Sequence, residues 1–435
     1  AAPPLRAAGP GGGDFASFLV DRGIDREQRR VLEQAGPWDD ARQKAVIRVL
    51  KRLDAPAALE VPWQLKAAPL AGPVEVADRL VRVEGRVTFV APLVLSDEQA
   101  LLATRPTLDL VRLVSAAGAA IDVVVLEAPR QWPRWRAIDE PAFAIGLPLS
   151  TASFPLPAAP PADGVAWPEA RPTALLAASG IGWRPPTTLG GLGMDYGLFE
   201  SVIDGKKLES GDTAAFYAVL AAVGRAAPGA IEAAAGKPAD IVPIIDPSRK
   251  WFATHRGDPV TVSGIARRAT RISIDEPWRR EQVGADHYWE LYVFVDTPLL
   301  KVNDRQQTDY PVVCCVRSLP AGFPSGDSIA EKVTVSGFAL KRYGYPLPDL
   351  EISSSQGDRE TRGQRMETAL LVGNAVQWKP APSVAGATNA LSWVFATLSA
   401  VVGLALVYSL WAMNRSSARR RPDLPDRVEL PGGRD

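Results

Sequence analysis

Apolar and polar positions alternate in two series of five short runs. The first series covers residues 80–95, 108–115, 121–126, 142–149 and 174–183, and the second 260–274, 288–295, 312–319, 332–342 and 369–378. The runs are rich in β-branched and aromatic residues and bounded by Pro, Gly and Asp, so each predicts a strand. Before each series the period changes. Val46, Val49, Leu50 and Leu53 stand at i, i+3, i+4 and i+7, and Phe216, Val219, Leu220 and Val223 repeat that spacing. Each set marks one apolar helix face. Asp39 or Asp40 is placed to cap the first helix, and Ser210 or Asp212 the second. A last run, residues 391–413, holds 23 positions without a charge. At about 1.5 Å per residue it reaches about 34 Å, enough to cross a hydrocarbon core of about 30 Å.

The two series are copies. Thr173-Ala174-Leu175-Leu176 and Trp183-Arg184-Pro185 recur 195 residues later as Thr368-Ala369-Leu370-Leu371 and Trp378-Lys379-Pro380. Pro129, Trp132, Pro133, Ile138, Glu140, Gly146 and Leu149 align with Pro320, Phe323, Pro324, Ile329, Glu331, Gly337 and Leu340. Val81-Arg82-Val83-Glu84-Gly85 aligns with Val260-Thr261-Val262-Ser263-Gly264. The blocks keep their order, so one unit occurs twice.

Five strands, a long first strand with a mid-strand glycine and a short segment between strands three and four resemble the OB-fold. The expected fold is mainly β with helical additions: two tandem units, each a helical segment followed by a five-stranded OB-like barrel, and then one transmembrane helix. Residues 1–13, rich in Ala, Pro and Gly, form a tether. Residues 14–79 form the helical segment of unit 1 and 80–186 its barrel. Residues 187–257 and 258–380 do the same for unit 2. The span is 391–413 and the tail 414–435. The proline-rich stretch 154–172 and the polar stretch 345–365 fall between strands four and five, a loop that OB-folds use to grip ligands.

Trp393 lies near one end of the span and Tyr408 and Trp411 near the other, as headgroup belts do. Arg415, Arg419, Arg420 and Arg421 follow the span, whereas residues 381–390 before it carry no charge. By the positive-inside rule the tail is cytoplasmic and the bulk exported, which places a single-pass protein in the inner membrane with its barrels in the periplasm or its equivalent. The start Ala1-Ala2-Pro3-Pro4 is what cleavage of a signal peptide leaves. About ten residues join barrel and span, a reach of no more than about 35 Å.

Composition adds little to this: 49 basic residues balance 49 acidic ones and 46% of residues are hydrophobic, which fits two or three folded domains without a bias towards nucleic acid. Cys314 and Cys315 are adjacent and expected to be two buried thiols, since neighbours in a strand face opposite ways. Catalytic signals are lacking. His255 and His287 belong to no metal-binding spacing. Gly11-Gly12-Gly13 and Gly190-Gly191-Leu192-Gly193 lack the context of a phosphate or dinucleotide loop, and no nucleophile elbow occurs. No cofactor, metal or catalytic residue is assigned, and an enzyme would need a pocket gathering His255 or His287 with carboxylates.

One constellation is a candidate binding surface. If Ile272 and Ile274 face the core of barrel 2, alternation puts Arg267 and Arg271 outside. With Leu291, Val293 and Val295 inward, Tyr288, Tyr292 and Phe294 face out. Arg317 does so if Val312, Cys314 and Val316 are core. Arginines beside aromatic planes on this face of an OB-fold suit a single-stranded nucleic acid or a glycan. The alternative is that the preceding helices cover the face, the aromatics form a second core, and the arginines pair with Glu290 or Asp296.

The second unit, chiefly residues 199–225 and 258–345, resembles envelope proteins of the planctomycete type, which pair such barrels with a C-terminal anchor. The resemblance implies that location and no activity. The leading expectation is a non-enzymatic, membrane-anchored envelope protein that binds protein partners or cell-wall components; the alternative is a polymer-binding module using Arg267, Arg271, Tyr288, Tyr292, Phe294 and Arg317.

Overall fold

The computed structural model describes residues 20, 23–34, 36–54, 67–70, 80–152, 154–157, 159–302, 305–346, 365–380 and 385–418. The expected tether 1–13, most of the tail and most of the polar stretch 345–365 lie outside the described residues. The chain divides into two units, Ala1–Lys379 and Pro380–Asp435.

In the first unit, helices α1 (Arg26–Glu33) and α2 (Asp40–Asp54) precede barrel 1: β1 (Val81–Val94), α3 (Asp97–Ala103), β2 (Thr107–Ser115), β3 (Ala120–Val125), β4 (Ala137–Leu149) and β5 (Ala174–Trp183). Short helical turns and α4 (Thr213–Val223) precede barrel 2: β6 (Pro259–Ser273), α5 (Pro277–Val283), β7 (His287–Val302), β8 (Arg305–Ser318), β9 (Glu331–Pro346) and β10 (Arg365–Trp378). Both barrels close in the order first, second, third, fifth, fourth strand. In both the third and fifth strands run parallel, β3 with β5 and β8 with β10, and every other pairing within the closed barrels is antiparallel. These are two five-stranded, OB-like barrels.

The repeated residues turn out to be shared joints. Trp183 Nε1 donates to Glu140 Oε2 at 2.8 Å in barrel 1, and Trp378 Nε1 donates to Glu331 Oε2 at 2.7 Å in barrel 2. Trp132 meets the Trp183 ring edge-on at 6.0 Å, as Phe323 meets Trp378 at 5.3 Å. The turns that deliver those aromatics close with Trp132 N–H to Pro129 O and Phe323 N–H to Pro320 O, at 3.0 and 3.1 Å. The mid-strand glycines answer to close approach. A Cβ on Gly85 would lie 2.2 Å from Val114 O, and one on Gly264 2.1 Å from Phe294 O, so only glycine lets the second strand cross there.

The apolar helix faces pack on the outside of the barrels. Val46, Val49, Leu50 and Leu53 of α2 join Leu110, Val124, Leu147, Leu149 and Leu175. Phe216, Val219 and Leu220 of α4 join Cys315, Phe338, Leu340, Leu370 and Val372. Burial of such side chains is worth roughly 1.5–3 kcal/mol each. Asp39 caps α2 by accepting from Arg42 N–H at 2.9 Å. Neither Ser210 nor Asp212 caps α4 through its side chain: residues 210–212 form a 3-10 turn and the Asp212 carboxylate is used elsewhere. The thiols are free and buried, Cys314 inside barrel 2 and Cys315 under α4. The β7–β8 hairpin is longer than the alternation predicts, because its pairing continues through Leu300, Lys301 and Val302 against Gln307, Gln306 and Arg305, where polar residues hide the pattern.

The second unit contains α6 (Ala385–Ala418), 34 residues or about 51 Å long. Among the described residues it is the one helix long and apolar enough to cross a membrane, and its segment Phe395–Met413 has a mean hydropathy of 1.8 with none of it buried.

Candidate functional site

The six candidate residues of barrel 2 do not form one surface. Tyr288 lies beneath α4, its ring 5.1 Å from that of Phe216, and it is buried with Val313 and Cys315. Burial pushes its phenol well above the usual tyrosine range. Arg317 is spent on helix ends. It donates to Leu220 O near the end of α4 at 3.2 Å, to Val283 O at the end of α5, and to Gly284 O at 3.2 Å. A guanidinium there satisfies carbonyls that the helices leave unpaired and opposes their dipoles. Burial holds its proton affinity below the ordinary arginine value.

Arg271 lies on the opposite side of the strand from the one expected. Ile272 and Ile274 pack under α4, not inside the barrel, whereas Ala266 and Ala269 are interior. A ladder irregularity between Ala266 and Arg268 inserts one residue, which reverses the alternation beyond it. Arg271 therefore stands opposite Trp289, on the interior side past the barrel mouth, and pairs with Asp286 at 3.5 Å.

Arg267, Arg268, Tyr292 and Phe294 remain together on the outer side of β6 and β7. Arg267 lies over the Phe294 ring at 3.9 Å and pairs with Asp309. Arg268 lies over the Tyr292 ring at 5.4 Å and pairs with Asp327 at 3.0 Å. The carboxyl of half-buried Glu290, on the same strand as Tyr292, is raised by burial against the pull of Arg268.

The matching face of barrel 1 is closed. Phe89 and Ala91 of β1 lie under Trp135 and Trp167, and Trp167 meets Phe89 edge-on at 5.5 Å. Arg112 sits over Trp167 at 5.2 Å, donates to Ala170 O at 2.8 Å, and forms a buried, two-pronged ion pair with Asp122. The Asp122 carboxyl is raised, burial outweighing the Arg112 bonds. Trp135 adopts a left-handed backbone, φ 60°, costly for so bulky a residue, and its carbonyl accepts Val165 N–H at 2.9 Å. The proline-rich stretch between strands four and five is thus strapped over the first two strands of its own barrel.

Sequence reasoning missed Arg268, which a count from the matched glycines reaches at the position of Phe89. It also missed the buried pair Lys341–Asp212. Lys341 Nζ lies 2.6 Å from Asp212 Oδ2 and 3.2 Å from Lys207 O. Asp212 also accepts Ile203 N–H at 3.1 Å and Glu209 N–H at 2.9 Å, so one carboxylate fastens the turns before α4 to β9. A lysine in an apolar strand gives no hint of a distant counter-charge.

No cluster of three or more metal-ligating side chains occurs among the described residues. His255 stacks on Trp251 at 4.6 Å, and His287 contacts Asp286. A cleft of about 280 Å³ beside Trp251 is lined by Asp204, Asp246, Lys250 and Arg342, without either histidine.

No family model matches the chain, and no curated protein matches it in sequence. Among solved structures, a deletion mutant and the wild-type form of the single-stranded DNA binding protein from Thermus aquaticus are similar to it, each at 10% identity and a TM-score of 0.16. The first match covers 71% of this chain and 98% of that one, the second 70% and 93%. At that TM-score neither likeness bears on what this chain binds.

Proposed function

We propose that the chain is a non-enzymatic protein of a cell envelope, anchored by α6, whose tandem barrels bind protein partners. The resemblance to planctomycete-type envelope proteins points the same way. The observation that carries this reading is the state of the barrels' outer faces. Helices α2 and α4 cover much of both. On the remaining part of barrel 2, Arg267 and Arg268 each face a carboxylate, which leaves little net positive field for a polyanion. Surfaces of paired charges around aromatic side chains are typical of protein interfaces.

Fractionation and capture test this. The full chain is expected in the membrane fraction and resistant to carbonate washing, and removal of residues 381–435 is expected to release it. A tagged full chain recovered from detergent-solubilised membranes should bring down the same protein partners in independent preparations. Recovery of the full chain in the soluble fraction, or no recurrent partner, overturns the proposal.

A second reading is recognition of a single-stranded nucleic acid or glycan by the same face. It is favoured by the Arg267–Phe294 stack, whose guanidinium side chain is 47% exposed. It requires binding that weakens steeply with salt for a nucleic acid, and that is lost in Arg267→Ala/Tyr292→Ala. Absence of binding to a panel of oligonucleotides and glycans removes it.

A further inference from the structure

The two barrels present the same cross-strand pair outside their first two strands, in opposite order. Phe89 of β1 stands opposite Arg112 of β2, and Arg268 of β6 stands opposite Tyr292 of β7. The positions correspond: Phe89 and Arg268 each lie four residues after the matched glycines, and each follows a ladder irregularity. An arginine and an aromatic ring side by side make a seat for a third flat group, which stacks on the guanidinium and meets the ring edge-on.

In barrel 1 the seat is taken. Trp167 fills it, Trp135 walls it, and Phe89 and Arg112 are each only 3% exposed. In barrel 2 the seat is open. The position of Trp135, six residues after Pro129, is held by Gly326, six after Pro320. No atom lies within 4 Å of where a Cβ on Gly326 would be. The Arg268 side chain is 42% exposed, and neighbouring Ile265 is 44% exposed. The sequence between strands four and five of barrel 2, residues 347–364, contains no aromatic residue, whereas its counterpart in barrel 1 supplies Trp167 among six prolines in residues 154–172.

We infer that the Arg268–Tyr292 seat of barrel 2 receives a tryptophan from an extended, proline-containing segment of a protein partner, as barrel 1 receives Trp167 from its own chain. This rests on the protein-binding reading above and narrows it to one surface and one class of ligand. Proline restricts the free segment to extended conformations, so little order is lost on docking. The pairing of Arg268 with Asp327 disfavours a phosphate chain at the same place.

The probe is a synthetic peptide with the sequence of residues 154–172, fluorescently labelled and titrated against the full chain in detergent micelles. Saturable binding is expected. Replacing the peptide's tryptophan by alanine should weaken it about 10-fold, and Arg268→Ala in the chain about 5-fold, the effect of losing one desolvated cation–π contact. Should Arg268→Ala fail to fold, the unaltered chain decides. A peptide carrying a photo-crosslinking residue in place of its tryptophan should form adducts within Pro259–Ser273 or His287–Val302. Adducts elsewhere, including Val81–Val94 of barrel 1, overturn the inference. So does equal binding of the alanine peptide, absence of binding, or displacement of the peptide by a thymidine oligonucleotide. If membrane capture returns recurrent protein partners while the peptide fails, the inference falls and the scaffold reading stands.

Discussion

Barrels 1 and 2 share a strand order, an outer helix and a Trp–Glu bond at the base, yet they solve the outer side of their first two strands differently. Barrel 1 draws its own loop across the gap and seals it with Trp135 and Trp167. Barrel 2 puts its fastening on the other side, where Lys341 and Asp212 lock the turns before α4 onto β9, and leaves Arg268, Tyr292 and Phe294 partly in solvent. The difference teaches that duplication preserved the parts that close a barrel and released the parts that meet other molecules.

The largest expected effect comes from the lock. Lys341 and Asp212 are 0% and 1% exposed, so Lys341→Ala strands a carboxylate without its counter-charge. A loss of about 3–5 kcal/mol is expected in urea denaturation. Arg112→Ala should cost less in barrel 1, because Asp122, whose carboxyl is already raised, takes up a proton more readily. Equal losses would break the comparison.

Asp195 sits at the junction, its Oδ1 accepting Trp183 N–H at 2.8 Å from the end of barrel 1 and Gly197 N–H at 2.9 Å from the turns leading to α4. Burial raises its carboxyl to about 6. A folded-state value above the unfolded one means that the folded chain binds the proton more tightly. Its charge therefore costs stability above about pH 6, and the cost is relieved as pH falls from there towards the unfolded value near 4. Asp195→Asn keeps an Oδ1 for both bonds and removes the charge. At pH 8 it should be more stable than the parent by up to about 3 kcal/mol, the advantage vanishing near pH 4. Thermal melts of both proteins across that range check it, and a pH-independent difference refutes it.

Trp167→Ala should cost about 2 kcal/mol and raise binding of a hydrophobic dye as Phe89 is uncovered. A matching alanine at Tyr292 should leave dye binding nearly unchanged, since that face is already partly open. The smallest effects test what the barrels share. Trp183→Phe and Trp378→Phe each remove one hydrogen bond to a glutamate, and each should cost about 1–2 kcal/mol. A disparity of more than about 1 kcal/mol would show that the two joints are not equivalent.

Much of the frame was legible because it lies in short-range pattern. The strand runs, both helix faces and the matched Trp, Glu and Pro residues all read from spacing alone. The candidate face read less well for two physical reasons. A single inserted residue after Ala266 moved Arg271 to the wrong side, and alternation has no means of registering a bulge. The fates of Tyr288 and Arg317 depended on where α4 docks, which is a tertiary choice that an apolar stripe does not specify. Likewise Trp167 read as part of a linker, since a proline-rich stretch carries no sign that it will be strapped down.

The identical strand order of the barrels bears on how the chain reaches its fold. Each barrel closes only when its first strand meets its fourth, Val81 with Gly146 and Val260 with Gly337, a pairing of residues distant in sequence and hence slow to form. Until then each half-built sheet offers open edges to the matching strands of its twin. Synthesis from the N-terminus gives barrel 1 a head start, so it can close before β9 and β10 have left the ribosome. Refolding from denaturant removes that sequence of events. A chain refolded whole should therefore accumulate strand-exchanged, aggregation-prone species that a chain made once, in order, avoids.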